Sequence, residues 1–405
     1  MDPVTNPFSP GAGARPPALV GRDEIVHSAR VALKRVAAGR HAKSLLLLGL
    51  RGVGKTVLLV RIGEIAEEEG FLATLIEAPE ERSLAGLIVP RLRALLYKLS
   101  AVEKARTLAN QALAALRNFA SAFKVAYAEF EVGVEPHPGL AASGDLETDL
   151  TELFLLVAEA ARVADKPVAI LIDEVQYLAK EDLAALIVAL HRIGQRNLPL
   201  ILFGAGLPQL AAVSGDAKSY AERLFDFPSV GPLSEGSARE AIRVPVEAAG
   251  EAIVDEALDF IVKKTERYPY FLQEWGAHAW NTASTSPITL SDAQTVSERA
   301  ITALDDSFFR VRFERLTPRE QDYLRAMADL GAGPHRSGDI AEALRVTVQF
   351  AGPIRTGLIR KGMIWSPAHG DTAFTVPLFH EYMLRAMPTE EGSAPTKPSV
   401  PPDDG

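Results

Sequence analysis

Residues 49–56 have the composition and spacing of a loop that binds phosphate. They match the pattern G-x-x-x-x-G-K-[ST] in full and read Gly49, Leu50, Arg51, Gly52, Val53, Gly54, Lys55 and Thr56. Glycines let the backbone curl so that several N–H groups point at one anion. Lys55 then reaches the β/γ-phosphates of a nucleotide, and Thr56 supplies a hydroxyl to Mg²⁺. The pattern predicts binding of ATP with Mg²⁺; the alternative is a glycine-rich turn without a ligand.

Two adjacent carboxylates are suited to complete such a site. Asp173 and Glu174 directly follow the apolar residues 169–172, so they stand at the end of a predicted buried strand. Ligands of open α/β sheets bind at the carboxyl ends of the strands. Asp173 is predicted to hold Mg²⁺ through its water shell, and Glu174 to orient or deprotonate the attacking water. The alternative is a pair of acids that merely caps a helix.

The segments that flank both motifs predict an α/β fold. Residues 45–50 form a short apolar run, typical of a strand buried on both faces, that leads into the phosphate loop. Apolar residues then recur at helical spacing up to Gly70. Further strands are predicted at 71–77, 168–172 and 198–203. Because these strands alternate with helical stretches, the pattern favours a parallel sheet.

Helices dominate the second half of the chain. Residues beyond Gly231 lack strand-like runs for a long way, which predicts a small helical domain. From residue 316, three helices precede two short strands, which is a winged-helix pattern. The predicted helices are 234–249, 253–267 and 269–281 in the first domain and 318–330, 337–344 and 346–361 in the second. The two strands are predicted at 363–366 and 372–376.

Composition excludes several other classes of protein. The 405 residues include no cysteine, which excludes disulfides and thiolate-ligated zinc. No apolar run reaches the roughly 18 residues that a membrane span needs. The net charge of −9 disfavours indiscriminate binding to nucleic acid, which requires clustered Lys and Arg. We therefore expect a cytoplasmic protein without membrane contact.

Taken in order, the phosphate loop, the Asp173–Glu174 pair, the helical lid and the winged helix resemble the AAA+ ATPases. The resemblance is strongest to the origin-recognition-complex-like branch and its bacterial relatives, and it spans roughly residues 18–386. It implies an α/β P-loop NTPase domain of AAA+ type with a parallel sheet, then a helical lid and a C-terminal winged-helix domain.

The resemblance also implies an adenine site. Val20 and Gly21 lie in the segment Leu-Val-Gly-Arg-Asp-Glu, which looks like the opening of that branch and by resemblance lies against the adenine. On the simpler interpretation Gly21 is only a turn. Pro269 lies in an element similar to the Gly-x-Pro of related signalling ATPases, which packs near the adenine, but Arg267 replaces the glycine. Arg267 is either a nucleotide-sensing arginine or merely exposed.

One catalytic candidate comes from a possible neighbouring subunit. Residues 220–225 resemble the segment that carries an arginine finger in such ATPases, which makes Arg223 a candidate catalytic residue in a homo-oligomer. The alternative is a surface ion pair. The family usually places a polar sensor residue after the strand at 200–203, but here Gly204, Ala205 and Gly206 follow. We therefore expect slow hydrolysis.

The predicted domain boundaries follow from these patterns. The N-terminal tail and the Pro-rich C-terminal tail lack apolar periodicity and are expected to be disordered, either mobile or loosely docked. The span from Lys55 to Asp173 is long for the fold, which indicates a family-specific insertion that includes a hairpin at 124–135. The predicted division is tail 1–17, ATPase domain 18–230 with an insertion at about 100–145, lid 231–312, winged helix 313–387 and tail 388–405.

The partner of the winged helix is open at this point. A recognition helix at 346–361 would enter the major groove of DNA. Its candidate DNA contacts are Arg345, Gln349, Arg355, Arg360 and Lys361. The module is nearly neutral, however, and Pro353 interrupts the helix unless it lies in the first turn. Contact with a protein is the alternative.

Two functions from different classes fit these residues. The first is a Mg²⁺-dependent AAA+ ATPase switch that organises a DNA-associated assembly through its winged helix. The second is a signalling or regulatory NTPase that acts on a protein partner without binding DNA. A metabolic kinase is a third hypothesis, which these residues support less well, because the lid and winged helix leave no evident acceptor site for a small molecule.

Overall fold

The computed structural model of the protein describes residues 1–11, 13–79, 82–125 and 140–388. The chain divides into two compact units, one ending at Ser297 and the other beginning at Glu298. Of the helices within the described ranges, none is long and apolar enough to cross a bilayer. The predicted hairpin at 124–135 lies almost entirely outside the described residues.

The first unit is built on a parallel sheet of five strands in the order β2-β3-β4-β1-β5. The strands are β1 (Ser44–Leu48), β2 (Leu72–Glu77), β3 (Val168–Asp173), β4 (Leu200–Gly206) and β5 (Phe225–Asp226). The inner strands β1, β3 and β4 are buried along their whole length, which explains their continuous apolar sequence. The parallel sheet is confirmed, whereas the two-residue β5 was not predicted because so short a strand carries no pattern.

Helices surround this sheet and continue into a helical region. They are α1 (Asp23–Ala37), α2 (Lys55–Glu68), α3 (Leu84–Ser100), α4 (Arg106–Ala122), α5 (Leu146–Ala164), α6 (Lys180–Gln195), α7 (Leu210–Ala217), α8 (Ala221–Leu224), α9 (Glu235–Ala248), α10 (Asp255–Lys264) and α11 (Pro269–Thr282). Helix α2 packs on β2, β3 and β4. Helix α4 falls in the predicted insertion and packs between α3 and α5, with Leu116 and Phe119 fully buried.

The N-terminal residues differ from the prediction of a disordered tail over 1–17. Phe8 is only 5% exposed and lies against Gly276 of α11. The indole Nε1 of Trp280 donates to the carbonyl of Asp2 at 2.8 Å, and the Asn6 amide donates to the carbonyl of Ala277 at 3.0 Å. The Phe8 ring and these hydrogen bonds thus hold residues 2–8, a segment whose proline content suggested disorder.

The second unit is a small mixed domain. Helix α12 (Leu290–Leu304) contains the division between the units, and a π-helical turn at Asp305–Phe309 follows it. The later elements are α13 (Arg310–Phe313), α14 (Pro318–Asp329), β6 (His335–Arg336), α15 (Ser337–Ala343), α16 (Val348–Arg360), β7 (Ile364–Trp365), β8 (Asp371–Phe374) and α17 (Phe379–Ala386). The strands form an antiparallel sheet in the order β6-β8-β7. The core of this second unit includes Phe309, Phe379 and Tyr382, whose rings contact one another.

The start of α14 shows why this unit begins a new helix after Leu316. Thr317 and Glu320 form a capping box, in which each side chain accepts from the other's backbone N–H, and Pro318 occupies the first turn. The side chain of Lys361 adds a 2.7 Å ion pair to Glu320. Burial raises the pKa of Glu320, but hydrogen bonds from Lys361 and Thr317 outweigh it and hold the pKa below its ordinary value.

Candidate active site

The phosphate loop connects the end of β1 to the start of α2, as its pattern predicts. Gly52 and Gly54 have φ angles of +82° and +89°, which side chains with a Cβ rarely adopt. A Cβ on Gly49 would collide with the carbonyl of Val230, so the backbone passes where only glycine fits. Gly54 caps α2 without any side-chain hydrogen bond. The first N–H groups of α2 are therefore left for a ligand.

Lys55 and Thr56 begin α2 and meet the acidic end of β3. Lys55 is 6% exposed, and its Nζ donates to the carbonyl of Leu50 at 2.9 Å. Burial lowers the pKa of Lys55, and the charges of Glu174 and Asp173 only partly oppose that effect. A buried ammonium with one carbonyl partner is poorly satisfied. An anion such as the β/γ-phosphates of ATP would satisfy it.

Asp173 and Thr56 form the second part of this site. The hydroxyl of Thr56 donates to Asp173 Oδ2 at 2.5 Å, and the N–H of Glu174 donates to Oδ1 at 2.8 Å. Burial nevertheless raises the pKa of Asp173 above its ordinary value. A buried carboxylate next to a hydroxyl is an oxygen donor set that suits Mg²⁺.

The two protein donors, the Thr56 hydroxyl and the Asp173 carboxylate, are sufficient for Mg²⁺ that binds together with a nucleotide. No cluster of three or more His, Cys, Asp or Glu side chains able to hold a metal occurs in the described part of the chain. Mg²⁺ bound with ATP needs few protein ligands, because phosphate oxygens and waters fill most of its octahedral shell. Thr56 and Asp173 therefore fit the metal that the motif predicts.

Glu174 lies beside this pair and is held by a residue that was not predicted. Its backbone is left-handed, with φ +55°, and its side-chain Oε2 accepts a hydrogen bond from the amide of Gln176. The same amide of Gln176 accepts from the N–H of Leu207, just beyond β4, at 3.1 Å. No motif marks Gln176, because its partners come together only when β3 and β4 lie side by side.

The entry segment, residues 20–22, lies between the phosphate loop and helix α9, which belongs to the region predicted as the lid. The guanidinium of Arg22 donates to the carbonyl of Val53 at 3.2 Å, and burial lowers the pKa of Arg22. Gly21, at φ +68°, leaves so little room that a Cβ would lie 2.7 Å from Ser237 Oγ in α9. Val20 beside it is half-buried. The predicted adenine segment thus lies between the loop and the lid.

Pro269 is the first residue of α11, where its missing N–H costs nothing. The next residue, Tyr270, donates its N–H to the carbonyl of Gly52 at 3.2 Å. The lid therefore contacts the phosphate loop at the predicted Pro269 element. Arg267 has a left-handed φ of +61°, a conformation that glycine adopts more readily than other residues, and its side chain is exposed.

Arg223 and Arg51 have contrasting environments. Arg223 on α8 is exposed and has no side-chain partner among the described residues. The predicted surface ion pair is thus not seen there. Arg51, inside the phosphate loop, donates to the hydroxyl of Tyr177, and its Nε is buried without an acceptor. Arg51 therefore retains one buried donor without an acceptor.

The candidate DNA contacts divide into two groups. Arg345, Gln349 and Arg360 are exposed. Arg355 instead donates to Thr372 Oγ1, the Asp371 carbonyl and Ser366 Oγ, at 2.8, 2.8 and 3.0 Å. Lys361 pairs with Glu320. We correct the prediction for Arg355 and Lys361, because the sheet and the α14 cap already use their charges.

Helix α16 begins at Val348 because the side chain of Thr347 accepts from the N–H of Phe350 at 3.2 Å. It continues past Pro353 although that residue lies beyond the first turn. The buried Leu358 anchors the later turns. The prediction that Pro353 interrupts the helix is wrong, since packing outweighs one lost backbone hydrogen bond.

Two parts of the chain match family models. A family described as "AAA ATPase domain" matches residues 18–203, and one described as a domain of unknown function matches residues 306–383. Comparison with curated proteins found no match.

Among solved structures, the chain is similar to the Walker-type ATPase PABY2304 of Pyrococcus abyssi, with a TM-score of 0.58 and 16% identity over 89% of this chain and 95% of that one. It is also similar to the RuvB Holliday junction branch migration motor of Thermotoga maritima, with a TM-score of 0.45 and 16% identity over 89% of this chain and 96% of that one. A further similar structure is Cdc6p from Pyrobaculum aerophilum, with a TM-score of 0.46 and 13% identity over 95% of this chain and 97% of that one. The parallel sheet and the phosphate loop agree with the match of residues 18–203 to this family and with a P-loop fold.

Proposed function

We propose that the protein is a Mg²⁺-dependent ATPase that works as a nucleotide switch. The observation that carries this proposal is the convergence of Lys55, Thr56 and Asp173, with Thr56 and Asp173 joined by a 2.5 Å hydrogen bond at the mouth of the glycine-rich loop. The family match over residues 18–203 supports the same activity.

In this proposal, Lys55 neutralises charge on the β/γ-phosphates while the N–H groups at the start of α2 bind phosphate oxygens. Glu174 takes a proton from the attacking water as the water oxygen bonds to the γ-phosphorus. The bond between the γ-phosphorus and the bridging oxygen breaks, and ADP and phosphate leave. Val20, Gly21 and Pro269 are proposed to hold the adenine between the loop and the lid.

Thr56 and Asp173 are proposed to hold the metal, Thr56 through its hydroxyl and Asp173 through water. When bound with ATP, Mg²⁺ neutralises charge that develops on the phosphate oxygens. Arg223 is proposed to add a positive charge from a neighbouring copy in a homo-oligomer, because its exposed guanidinium has no partner among the described residues.

For the C-terminal unit, we propose a winged helix. Its order of helix, strand, two helices and two strands, with sheet order β6-β8-β7, supports this fold. The first candidate partner is a DNA-associated assembly, contacted through the exposed Arg345, Gln349 and Arg360 at α16.

A protein partner is the second candidate, and the surface of α16 favours it. Arg355 and Lys361 are committed within the unit, which leaves few cations for phosphates. Val348 and Phe350 at the start of α16 are instead 51% and 44% exposed. Large exposed apolar side chains on a helix are more typical of a protein interface than of a DNA interface.

The test is steady-state ATP hydrolysis with Mg²⁺, with and without duplex DNA, at two salt concentrations. Hydrolysis that requires Mg²⁺ supports the ATPase. Stimulation by DNA that weakens as salt rises supports the first partner, and an unchanged rate at both salts refutes it. An Arg345→Ala, Arg360→Ala double variant should lose any stimulation, while an exposed control in the first unit, Arg91→Ala, should keep it.

A further inference from the structure

Gln176 connects the candidate base to the strand beside it. Its Nε2 donates to Glu174 Oε2, and its Oε1 accepts the N–H of Leu207 at 3.1 Å. This orientation of the amide is the only one that satisfies both partners, because a carboxylate only accepts and a backbone N–H only donates. One side chain thus bridges the end of β3 and the end of β4.

The bridge continues to the phosphate loop through main-chain atoms. The carbonyl of Gly206, next to Leu207, accepts the N–H of Gly49 at 3.1 Å, and Gly49 is the first residue of the loop. Glu174 is thereby joined to the loop through Gln176, the end of β4 and Gly49.

The Gln176 amide lies close to Gly206, one of the residues that stand where the sensor side chain is missing. A Cβ on Gly206 would lie 2.8 Å from Gln176 Oε1 and 2.8 Å from Leu210 Cδ2. A methyl group added at Gly206 would therefore displace the Gln176 amide, the Leu210 side chain or both. The polar group at this end of β4 comes from the segment after β3 instead of from β4 itself.

We propose that Gln176 is a positioning residue for ATP hydrolysis, which orients the Glu174 carboxylate from the end of β4 where the sensor residue would otherwise stand. The inference rests on the proposed ATPase function. It differs from a purely structural role, in which Gln176 would only tie β3 to β4, because it acts through Glu174.

The experiment compares kcat and KM for Mg²⁺-ATP, together with affinity for a fluorescent ATP analogue, in the full chain. Gln176→Ala should lower kcat about tenfold or more with KM and affinity nearly unchanged, since a hydrogen bond to a charged group is lost and no nucleotide contact is removed. Gln176→Glu keeps the shape but puts a like charge beside Glu174, and it should lower kcat at least as far.

Gly206→Ala displaces the amide without altering Gln176 or Glu174, and it should reproduce the loss. Gly215→Ala is the matched control, because nothing lies within 4 Å of a Cβ there. In a Glu174→Gln background, Gln176→Ala should change single-turnover hydrolysis by no more than about twofold, since its effect passes through the residue already altered.

Three outcomes overturn the inference. The first is an unchanged kcat in Gln176→Ala. The second is a hydrolysis rate in the double variant that is reduced by the product of the factors seen in Gln176→Ala and Glu174→Gln alone. The third is a loss of nucleotide affinity in Gln176→Ala that equals its loss of kcat. If the parent itself does not hydrolyse ATP, the proposed function fails and this inference with it; if the parent is active and the losses multiply, only this inference fails.

Discussion

Phe8 is predicted to hold the N-terminal segment, residues 1–8, against the lid helix α11. Its ring is 5% exposed and packs on Gly276, where a Cβ would lie 2.6 to 2.9 Å from three ring carbons. Burying a Phe removes roughly 150–200 Å² from water, which at about 25 cal/mol per Å² is worth about 4–5 kcal/mol. Phe8→Ala should therefore destabilise the packing of this segment on α11 by about 3–5 kcal/mol.

That loss decides how the segment responds. Its other anchors are hydrogen bonds such as Trp280 to Asp2 and Asn6 to Ala277, each worth about 0.5–1.5 kcal/mol net. Each of these bonds is therefore worth much less than the burial of the Phe8 ring. Without the ring, the remaining bonds cannot hold eight residues, so the segment should detach while α11 stays folded.

Hydrogen exchange followed by mass spectrometry is the assay. Amides of residues 1–8 in Phe8→Ala should lose protection by about 10²- to 10³-fold, whereas peptides from α11 should change much less. Gly276→Ala should release the segment from the other side, because the new methyl group collides with Phe8. Retained protection of residues 1–8 in Gly276→Ala would refute the packing argument.

Two further predictions concern the candidate site. Burial raises the pKa of Asp173, so the folded chain binds this proton more tightly than the unfolded chain. The contribution of Asp173 to the free energy of unfolding is complete below its ordinary pKa of 3.8 and is lost as the pH rises through the raised value. In urea unfolding between pH 4 and 8, Asp173→Asn should therefore lose less stability with rising pH than the parent, and it should be more stable than the ligand-free parent at pH 7. Parallel plots of stability against pH for the two proteins would contradict this prediction. ATPase activity per subunit should rise with protein concentration if Arg223 acts across a subunit contact. Arg223→Ala should flatten the rise with affinity intact, the exposed Arg91→Ala should not, and activity independent of concentration in the parent would exclude the role.

The parallel sheet and the phosphate loop were predictable because they depend on local sequence. The buried strands β1, β3 and β4 carry continuous apolar runs. In Gly49–Thr56, the spacing of the glycines, the lysine and the threonine is typical of a phosphate-binding loop. Asp173 was predictable for the same reason, since it ends such a run. Roles of Val20, Gly21, Pro269 and Arg223 came from family resemblance and stay proposals.

The rest depends on contacts between distant residues. Gln176 meets Leu207 only because β3 and β4 are neighbours, so no local pattern shows that it bridges them. Phe8 orders a proline-rich segment because Gly276 leaves a space for its ring, 268 positions along the chain. Arg355 resembled a free cation in the sequence, but β8 supplies its acceptors. Packing and partner choice of this kind are tertiary properties.

The most direct test of the central claim is one titration and turnover series with Mg²⁺-ATP on the parent, Lys55→Ala and Glu174→Gln. The parent should bind and hydrolyse ATP. Glu174→Gln should bind it as tightly but turn over roughly 10²-fold more slowly or worse, the scale of a lost general base, and Lys55→Ala should lose tight binding. Unchanged affinity in Lys55→Ala, or equal turnover in Glu174→Gln and the parent, would contradict the account.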